Sequence, residues 1–128
     1  MTQEDKKILM NDLCARLPYD VTLMNICGEK KVLRTLNYEY GCFEVENENN
    51  TGNYESVSIL TWKPCLRPMS SMTSEEEKHF LSLKSGLDYD TNTKKTIYNT
   101  SQVDWLNEHH FDYRGLIDKG LAIEIKNN

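Results

Sequence analysis

The chain has 128 residues, enough for one domain but too few to fill two separate hydrophobic cores. Its net charge is −5, with 7 basic and 10 acidic residues in positions 1–64 and 8 and 10 in positions 65–128. Neither half has the excess of Lys and Arg that binds nucleic acid by charge alone. With 38% hydrophobic and 27% charged residues, the composition is that of a globular protein, and we predict a single domain over residues 1–128.

The sequence predicts a cytoplasmic protein. Its first residues, MTQEDKK, lack the apolar stretch of a secretory signal, and no apolar run reaches the roughly 20 residues of a membrane-spanning helix. The cysteines are widely and irregularly spaced, so we expect reduced thiols that behave mostly as small buried apolar side chains, not disulfides or zinc ligands. They are Cys14, Cys27, Cys42 and Cys65.

The first half of the chain begins with a predicted helix over residues 3–16, capped by Thr2 and ended by Pro18. Short segments rich in β-branched and aromatic residues follow, separated by turn formers. Because four or five short antiparallel strands are not stable as a flat one-sided sheet, they must curl into a small barrel or be covered by helices, and we expect a small SH3-like β-barrel. The predicted strands are 21–27, 31–36, 39–45 and 56–62, and this helix-plus-barrel half spans 3–66.

Residues 67–128 are predicted to form a helical half that packs on the barrel, which makes the fold α+β. The prolines of Lys63–Pro68 predict a stiff connecting loop. Thr73 and Glu76 form a capping-box pattern that begins a helix, with Gly86 as its expected end.

A second helix in this half is expected to begin at Ser101, and a short helical turn to end at Gly120. Residues 121–125 are predicted to be extended, and the polar segment 88–100 to form an excursion. Apolar residues between these elements are expected to join the two halves, since they would otherwise be exposed. They are Phe111, Tyr113, Leu116 and Ile117.

No sequence motif indicates catalysis. The chain has no P-loop, no Gly-x-Ser-x-Gly, no Gly-x-Gly-x-x-Gly and no His-Glu-x-x-His. His109, His110 and Asp112 resemble part of a metal site, but adjacent histidines point apart on a helix and further ligands are missing. We therefore predict a protein that is not an enzyme and that uses neither a metal nor a cofactor.

The most polarised stretch lies between Arg34 and Lys63, because it contains no Lys or Arg. A hairpin that carries several carboxylates and no cations could dock in a basic, nucleic-acid-binding channel of another protein. The alternative interpretation is a solvated hairpin tip. The candidate partner-binding residues are Glu39, Glu44, Glu46, Glu48 and Glu55.

The same strands also carry aromatic residues beside basic ones, the arrangement with which small barrels stack nucleic-acid bases. The nearby glutamates would repel a phosphate backbone, which favours core or interface roles for the five aromatic residues on these strands, Tyr38, Tyr40, Phe43, Tyr54 and Trp62. The candidate nucleic-acid contacts are Lys30, Lys31, Arg34, Tyr38 and Tyr40.

Three blocks of sequence resemble a widespread family of small uncharacterised proteins of bacteriophages and prophages. They are DLCARLPY at 12–19, KPCLRPMSSMT at 63–73 and DWLNEHHFDYRGLIDKGLA at 104–122. The chain departs from the family pattern at Cys65, where an aromatic residue is common, and in its polar C-terminal end. The family has no established activity and no catalytic residues to transfer.

What the resemblance implies is an accessory protein of a mobile element, expressed in the cytoplasm of a bacterial host cell. Such proteins are often non-enzymatic binders of host machinery, so the expected function is inhibition of a defence protein. The expected partner is a CRISPR effector nuclease or its RNA complex. Two alternatives stay open: a small nucleic-acid-binding accessory module, and a minor virion or assembly protein.

Overall fold

The computed structural model describes residues 2–37, 39, 42–47, 54–83, 89–90, 95–96 and 98–125. Within these ranges the helices are α1 (Gln3–Arg16), α2 (Ser74–Ser82) and α3 (Thr100–Glu108). The strands are β1 (Thr22–Asn25), β2 (Lys30–Asn37), β3 (Cys42–Asn47), β4 (Tyr54–Ser58), β5 (Trp62–Pro68), β6 (Tyr89–Asp90), β7 (Lys95–Thr96), β8 (Phe111–Asp112) and β9 (Ile123–Glu124). None of these helices is long and apolar enough to cross a membrane.

The main sheet is open, with strand order β4-β3-β2-β1-β5-β8 and β9 also paired to β5. The α+β prediction is confirmed, but the SH3-like barrel is wrong, because no pairing between described residues closes the sheet on itself. The second half of the chain supplies β8 and β9, which both pair parallel with β5 and bond to it from opposite sides. That half is therefore not purely helical, since it also completes the sheet.

The segment predicted as a stiff loop is the strand β5, which lies inside the sheet. Pro64 lies opposite Leu23 of β1. Proline has no N–H, and the position of that missing donor is on the β9 side of β5, one residue before pairing with β9 begins at Cys65. Beyond it the backbone is well paired, because Arg67 N donates to His110 O and Ile125 N donates to Leu66 O, both at 2.8 Å. Proline is tolerated because, among the described residues, the strand pairing with β9 begins only at Cys65.

One face of the sheet is covered by α1 and by the segment that leads into β9. This main core contains Leu9, Met10, Leu13, Val21, Leu23, Leu33, Phe43, Val45, Ile59, Trp62, Leu66, Leu116, Leu121 and Ala122. A second cluster lies between α2, α3 and β8 and contains Phe80, Trp105, Leu106 and Phe111. The predicted joining residues connect the two: Phe111 and Tyr113 pack in the second cluster, Leu116 and Ile117 in the first.

The helix starts follow local capping chemistry. The bounds of α1 are those predicted, and Thr2 Oγ1 accepts a hydrogen bond from Asp5 N at 3.0 Å. The capping box of α2 is also confirmed, with Glu76 N donating to Thr73 Oγ1 at 3.1 Å and Thr73 N donating to Glu76 Oε1 at 2.9 Å. Leu83 ends this helix, whereas the predicted end, Gly86, lies outside the described residues.

The cap of α3 differs from the prediction, because Asn99 takes the place expected for Ser101. Asn99 Oδ1 accepts from Gln102 N at 2.8 Å, and Gln102 Oε1 accepts from Asn99 N at 3.1 Å. The Asn99 amide also donates to Leu83 O at 2.7 Å, which ties the helix start to the end of α2. This long-range bond favours Asn99, and sequence spacing does not reveal it.

Two further predictions for the second half are borne out in part. The turn after Gly115 ends at Gly120, whose φ of 74° is favourable for glycine, and Leu121 N donates to Leu116 O at 2.9 Å in the Schellman pattern. The extended C-terminal segment is confirmed as β9. Part of the polar excursion is structured, since β6 and β7 pair antiparallel, while the rest of 88–97 lies outside the described residues.

Candidate protein-interaction surfaces

Strand β2 supplies cations to two of the glutamates that the sequence singled out. Glu46 is only 4% exposed and accepts from Arg34 Nε at 2.8 Å, while Arg34 Nη1 also donates to Asp20 Oδ1 at 2.6 Å. Arg34 reaches both acids from the irregularity in β2, where the register with β3 shifts between Leu33 and Thr35. These bonds, with Glu46 first, raise the pKa of Arg34 above its usual value.

The acidic hairpin is therefore free of cations in sequence but not in space. Glu55 forms an ion pair with Lys31 of β2, so two of the five glutamates are neutralised inside the protein. Glu39 and Glu44 are exposed, and Glu48 lies outside the described residues. The expected cation-free docking surface is wrong in this respect, because counting along the chain misses neighbours across strands.

The alternative nucleic-acid residues do not form a stacking platform within the described ranges. Lys30 is exposed, but Lys31 and Arg34 are engaged by acids, and Tyr38 and Tyr40 lie outside the described residues. Among the other aromatic residues on these strands, Phe43 and Trp62 are buried in the main core and Tyr54 reaches solvent. The core role favoured for Phe43 and Trp62 is confirmed.

The histidines and aspartate that resemble a metal site have separate structural contacts. Asp112 accepts hydrogen bonds from Leu116 N and Ile117 N at 2.8 and 2.9 Å, so it caps the turn that follows. The His109 ring lies 4.4 Å from that of Trp105, and the backbone of His110 is left-handed with φ of 62°. The described part of the chain contains no group of three His, Cys, Asp or Glu residues that could hold a metal ion.

The cysteines are free thiols in different environments. Cys65 is buried and Cys42 half-buried, as expected for small apolar side chains, but Cys14 and Cys27 are exposed. The prediction is wrong for this second pair, because Cys14 lies on the outer face of α1 and Cys27 in the turn between β1 and β2.

A fully buried ion pair lies where α1 meets β8, and sequence reasoning missed it. Asp12 and Arg16 are both 0% exposed, with Arg16 Nε donating to Asp12 Oδ2 at 2.7 Å. Arg16 Nη2 also donates to Phe111 O at 2.6 Å, which links the N-terminal helix to the second half. The spacing of four residues on a predicted helix was the available signal, but it did not reveal burial.

A second arginine lies against the other side of the same phenylalanine. The Arg67 guanidinium is 4.2 Å from the centre of the Phe111 ring and donates two bonds of 2.8 Å to the Glu76 carboxylate. The bonds from Arg67 outweigh burial and lower the pKa of Glu76 to about 2. Arg16 therefore links the two halves, whereas Arg67 links the end of β5 to α2 and β8.

Stability is expected to fall as the pH drops below about 6.5 because of His110. Burial is the main reason that its pKa is lowered; Arg16, His109 and Arg67 lower it further, and Asp20 opposes them. The unfolded chain therefore binds more protons than the folded chain. The free energy of unfolding is at its full value above the pKa of His110 in the unfolded chain, about 6.5, and decreases as the pH falls toward the lower pKa of His110 in the folded chain. Urea unfolding at a series of pH values measures this.

The matched variant for this prediction is His110→Asn, since asparagine tolerates a left-handed backbone. Its stability should vary less with pH between about 7 and 5 than that of the unaltered protein. Equal pH dependence in both proteins would contradict the assignment to His110. Protonation of Glu76 also lowers the stability, but it does so between pH 4.5 and about 2. It therefore does not affect the comparison between about pH 7 and 5.

The other face of the sheet carries an apolar groove over β1, β5 and β9. Two adjoining depressions of about 330 and 310 Å³ share Met24 and Ile123. Strand alternation explains the position, because Leu23 and Leu66 point into the core and Met24 and Cys65 point to the opposite face. The full lining is Thr22, Met24, Asn25, Ile26, Lys30, Leu60, Thr61, Lys63, Cys65, Ile123, Glu124 and Ile125.

Two large apolar side chains at the rim of this groove are unusually exposed. Ile26, in the turn after β1, is 98% exposed, and Leu60, in the turn before β5, is 67% exposed. The described part of the chain has two other large exposed apolar residues, Tyr54 and Leu81, neither of which lines the groove. The sequence placed Ile26 in the predicted strand 21–27, whereas β1 ends at Asn25, so its exposure in a turn was not predicted.

Lysines flank the apolar floor of the groove on the neighbouring strands. The registers place Lys30 of β2 and Lys63 of β5 opposite Met24 of β1, one on each side. Neither lysine forms an ion pair with a residue that the structure describes. Glu124 is the acidic residue among the lining groups.

Fold and surface together define an α+β protein whose described residues form an open mixed sheet with an apolar groove on the face opposite the main core. The chain matches no protein-family model, no curated protein and no solved structure.

Proposed function

We propose that this chain is an accessory protein of a phage or other mobile element that inhibits a host defence protein by binding to it. The proposed partner is a CRISPR effector nuclease or its RNA complex, as the sequence resemblance implies. The observation that supports a binding function is the groove, with Ile26 and Leu60 exposed at its rim. Inhibition by occlusion needs only a stable interface.

The energetics of these two side chains fit a binding surface. Fully burying a side chain such as isoleucine or leucine contributes about 1.5–3 kcal/mol, and interface energy is concentrated in a few such residues. Both side chains lie in turns, so they are not needed to fill the core. Adjacent exposed apolar groups on an otherwise polar surface are typical of interaction sites.

The exposed glutamates have a secondary place in this proposal. Glu44 and Glu39 can steer a basic partner, such as a nuclease with a nucleic-acid channel, because surface charges mainly affect the rate of association. Glu46 and Glu55 are occupied by Arg34 and Lys31 and are assigned a structural role.

The test is binding to purified CRISPR effector nucleases, with and without their guide RNA, measured by co-purification and then by titration. Ile26→Asp and Leu60→Asp are each expected to weaken binding about tenfold or more, because a carboxylate in an apolar contact stays unpaired. Leu81→Asp is the matched control, since Leu81 is 50% exposed but lies on α2, outside the groove. It should leave the affinity unchanged.

Other outcomes would favour the alternative functions. Retardation of RNA or single-stranded DNA at low salt, with no binding to any effector, would contradict the proposal and support a nucleic-acid module. A large oligomer in light scattering, again without effector binding, would support an assembly protein. Effector binding that Ile26→Asp and Leu60→Asp leave intact would exclude the groove as the binding surface.

A further inference from the structure

We infer that the groove receives an amphipathic segment of the partner protein whose apolar side chains alternate with acidic ones. This inference rests on the proposed function and deepens it, because it states the chemistry of the bound segment. It depends on one row of residues across three strands, in which Lys30 and Lys63 lie on either side of Met24.

The charge of the groove is opposite to that of the chain as a whole. The protein carries a net charge of −5, whereas Lys30, Lys63 and Glu124 give the groove lining a net charge of +1. Adjacent strands lie about 4.8 Å apart, so the two lysine backbones are about 10 Å apart across β1. Carboxylates on one segment can therefore approach both ammonium groups, whereas a basic segment would be repelled.

The apolar floor sets the second requirement. Met24 and Ile123 are half-buried at the junction of the two depressions, and Ile26 and Leu60 rise at the rim. A methionine adapts its shape to different apolar groups, which suits a peptide-binding surface. Side chains such as leucine would fill these depressions, while acidic neighbours on the same segment meet the lysines.

The lysines also argue against a second copy of this chain as the occupant. An isologous contact over the groove would place the same surface of both copies face to face. Each Lys30 and Lys63 would then lie near the lysines of the other copy, and like charges at an interface are unfavourable. The groove fits a different, acidic surface better than it fits itself.

The experiment uses two short synthetic peptides of equal length, one alternating leucine with glutamate and the other alternating leucine with lysine. Binding to the full chain is measured by fluorescence anisotropy, and its location by methyl NMR. The glutamate peptide should bind at least about tenfold more tightly than the lysine peptide. The methyl signals of Met24, Ile26, Leu60 and Ile123 should shift.

Charge reversal provides the decisive comparison. The double variant Lys30→Glu and Lys63→Glu should lose or invert the preference for the glutamate peptide. The matched control, Lys7→Glu and Lys78→Glu, makes the same change of net charge at exposed positions outside the groove and should retain the preference. A preference that survives reversal in the groove would overturn the inference.

The remaining outcomes separate this inference from the proposed function. Equal binding of the two peptides, no binding of either, or shifts confined to Leu81 or Tyr54 would each overturn the inference. So would a dimer in sedimentation that Ile26→Asp abolishes, because the groove would then belong to a second copy. Effector capture that the groove reversal does not weaken would overturn the inference alone, whereas peptide binding without effector capture would contradict only the proposed partner.

Discussion

Replacing Asp12 with alanine is expected to lower the free energy of unfolding by about 3–5 kcal/mol, because it leaves the Arg16 charge buried without its carboxylate. Both side chains are fully buried, so bulk solvent does not compensate the remaining charge. Arg114 Nε is 3.4 Å from Asp12 Oδ1 and would lose its contact as well. Since small domains are stable by only about 5–15 kcal/mol, this single change removes a large share. Urea unfolding followed by circular dichroism measures the loss.

The control for this prediction removes both charges together. Asp12→Leu combined with Arg16→Met replaces the pair by apolar groups, which is often neutral or stabilising for buried ion pairs. The double variant should therefore be more stable than Asp12→Ala. It also keeps the test meaningful if the single variant does not fold. Equal or greater destabilisation of the double variant would show that the bond from Arg16 to Phe111 O, and not charge burial, dominates.

Replacing Phe111 with alanine is the other large expected effect, again about 3–5 kcal/mol, because a fully buried aromatic side chain leaves a cavity. The ring stacks on Trp105 at 5.5 Å and lies beneath the Arg67 guanidinium at 4.2 Å. The change therefore removes contacts to α3 and to β5 at once. Thermal and urea unfolding should show a large loss of stability.

Tyr113→Phe is the matched control for Phe111→Ala. It keeps the ring and removes two hydrogen bonds of the hydroxyl, the one from Tyr113 Oη to Asn107 Oδ1 at 3.0 Å and the exposed one from Arg114 Nη2 to Tyr113 Oη at 3.3 Å, so the expected cost is about 1 kcal/mol. Similar losses in the two variants would contradict the role of Phe111 as a central side chain of the second cluster. Methyl signals of Ile26 and Leu60 should keep their positions in a folded Phe111 variant, since the groove lies elsewhere.

Local chemistry explains which elements the sequence predicts well. The bounds of α1 and the capping box at Thr73 depend on side chains three residues from the groups that they cap, so they can be read from neighbouring residues. The cap of α3 could not, because Asn99 also bonds to Leu83 O, 16 residues away. Likewise Pro64 indicates a loop in sequence, and only the neighbouring strands show which side of β5 lacks a partner.

The candidate surface was less predictable than the fold. Exposure depends on what covers a face, and the residues that flank Met24 come from strands that are distant along the chain. The glutamates illustrate the converse, since Arg34 and Lys31 of β2 neutralise Glu46 on the adjacent strand β3 and Glu55 on β4, one strand further along the sheet. Electrostatic character is a property of spatial neighbours, and a run of one sign in sequence does not establish it.

By itself the sequence determined the α+β class, the first helix, the capping box that begins α2 at Thr73 and the turn that ends at Gly120. These features follow from propensity and capping over a few residues. Tertiary structure alone decided that the sheet stays open, that β5 is an inner strand and that Asp12 and Arg16 are buried together. It also decided that Ile26 and Leu60 border one groove. Those features depend on contacts between segments that are distant in the sequence, and a pattern of neighbouring residues does not give the energies of such contacts.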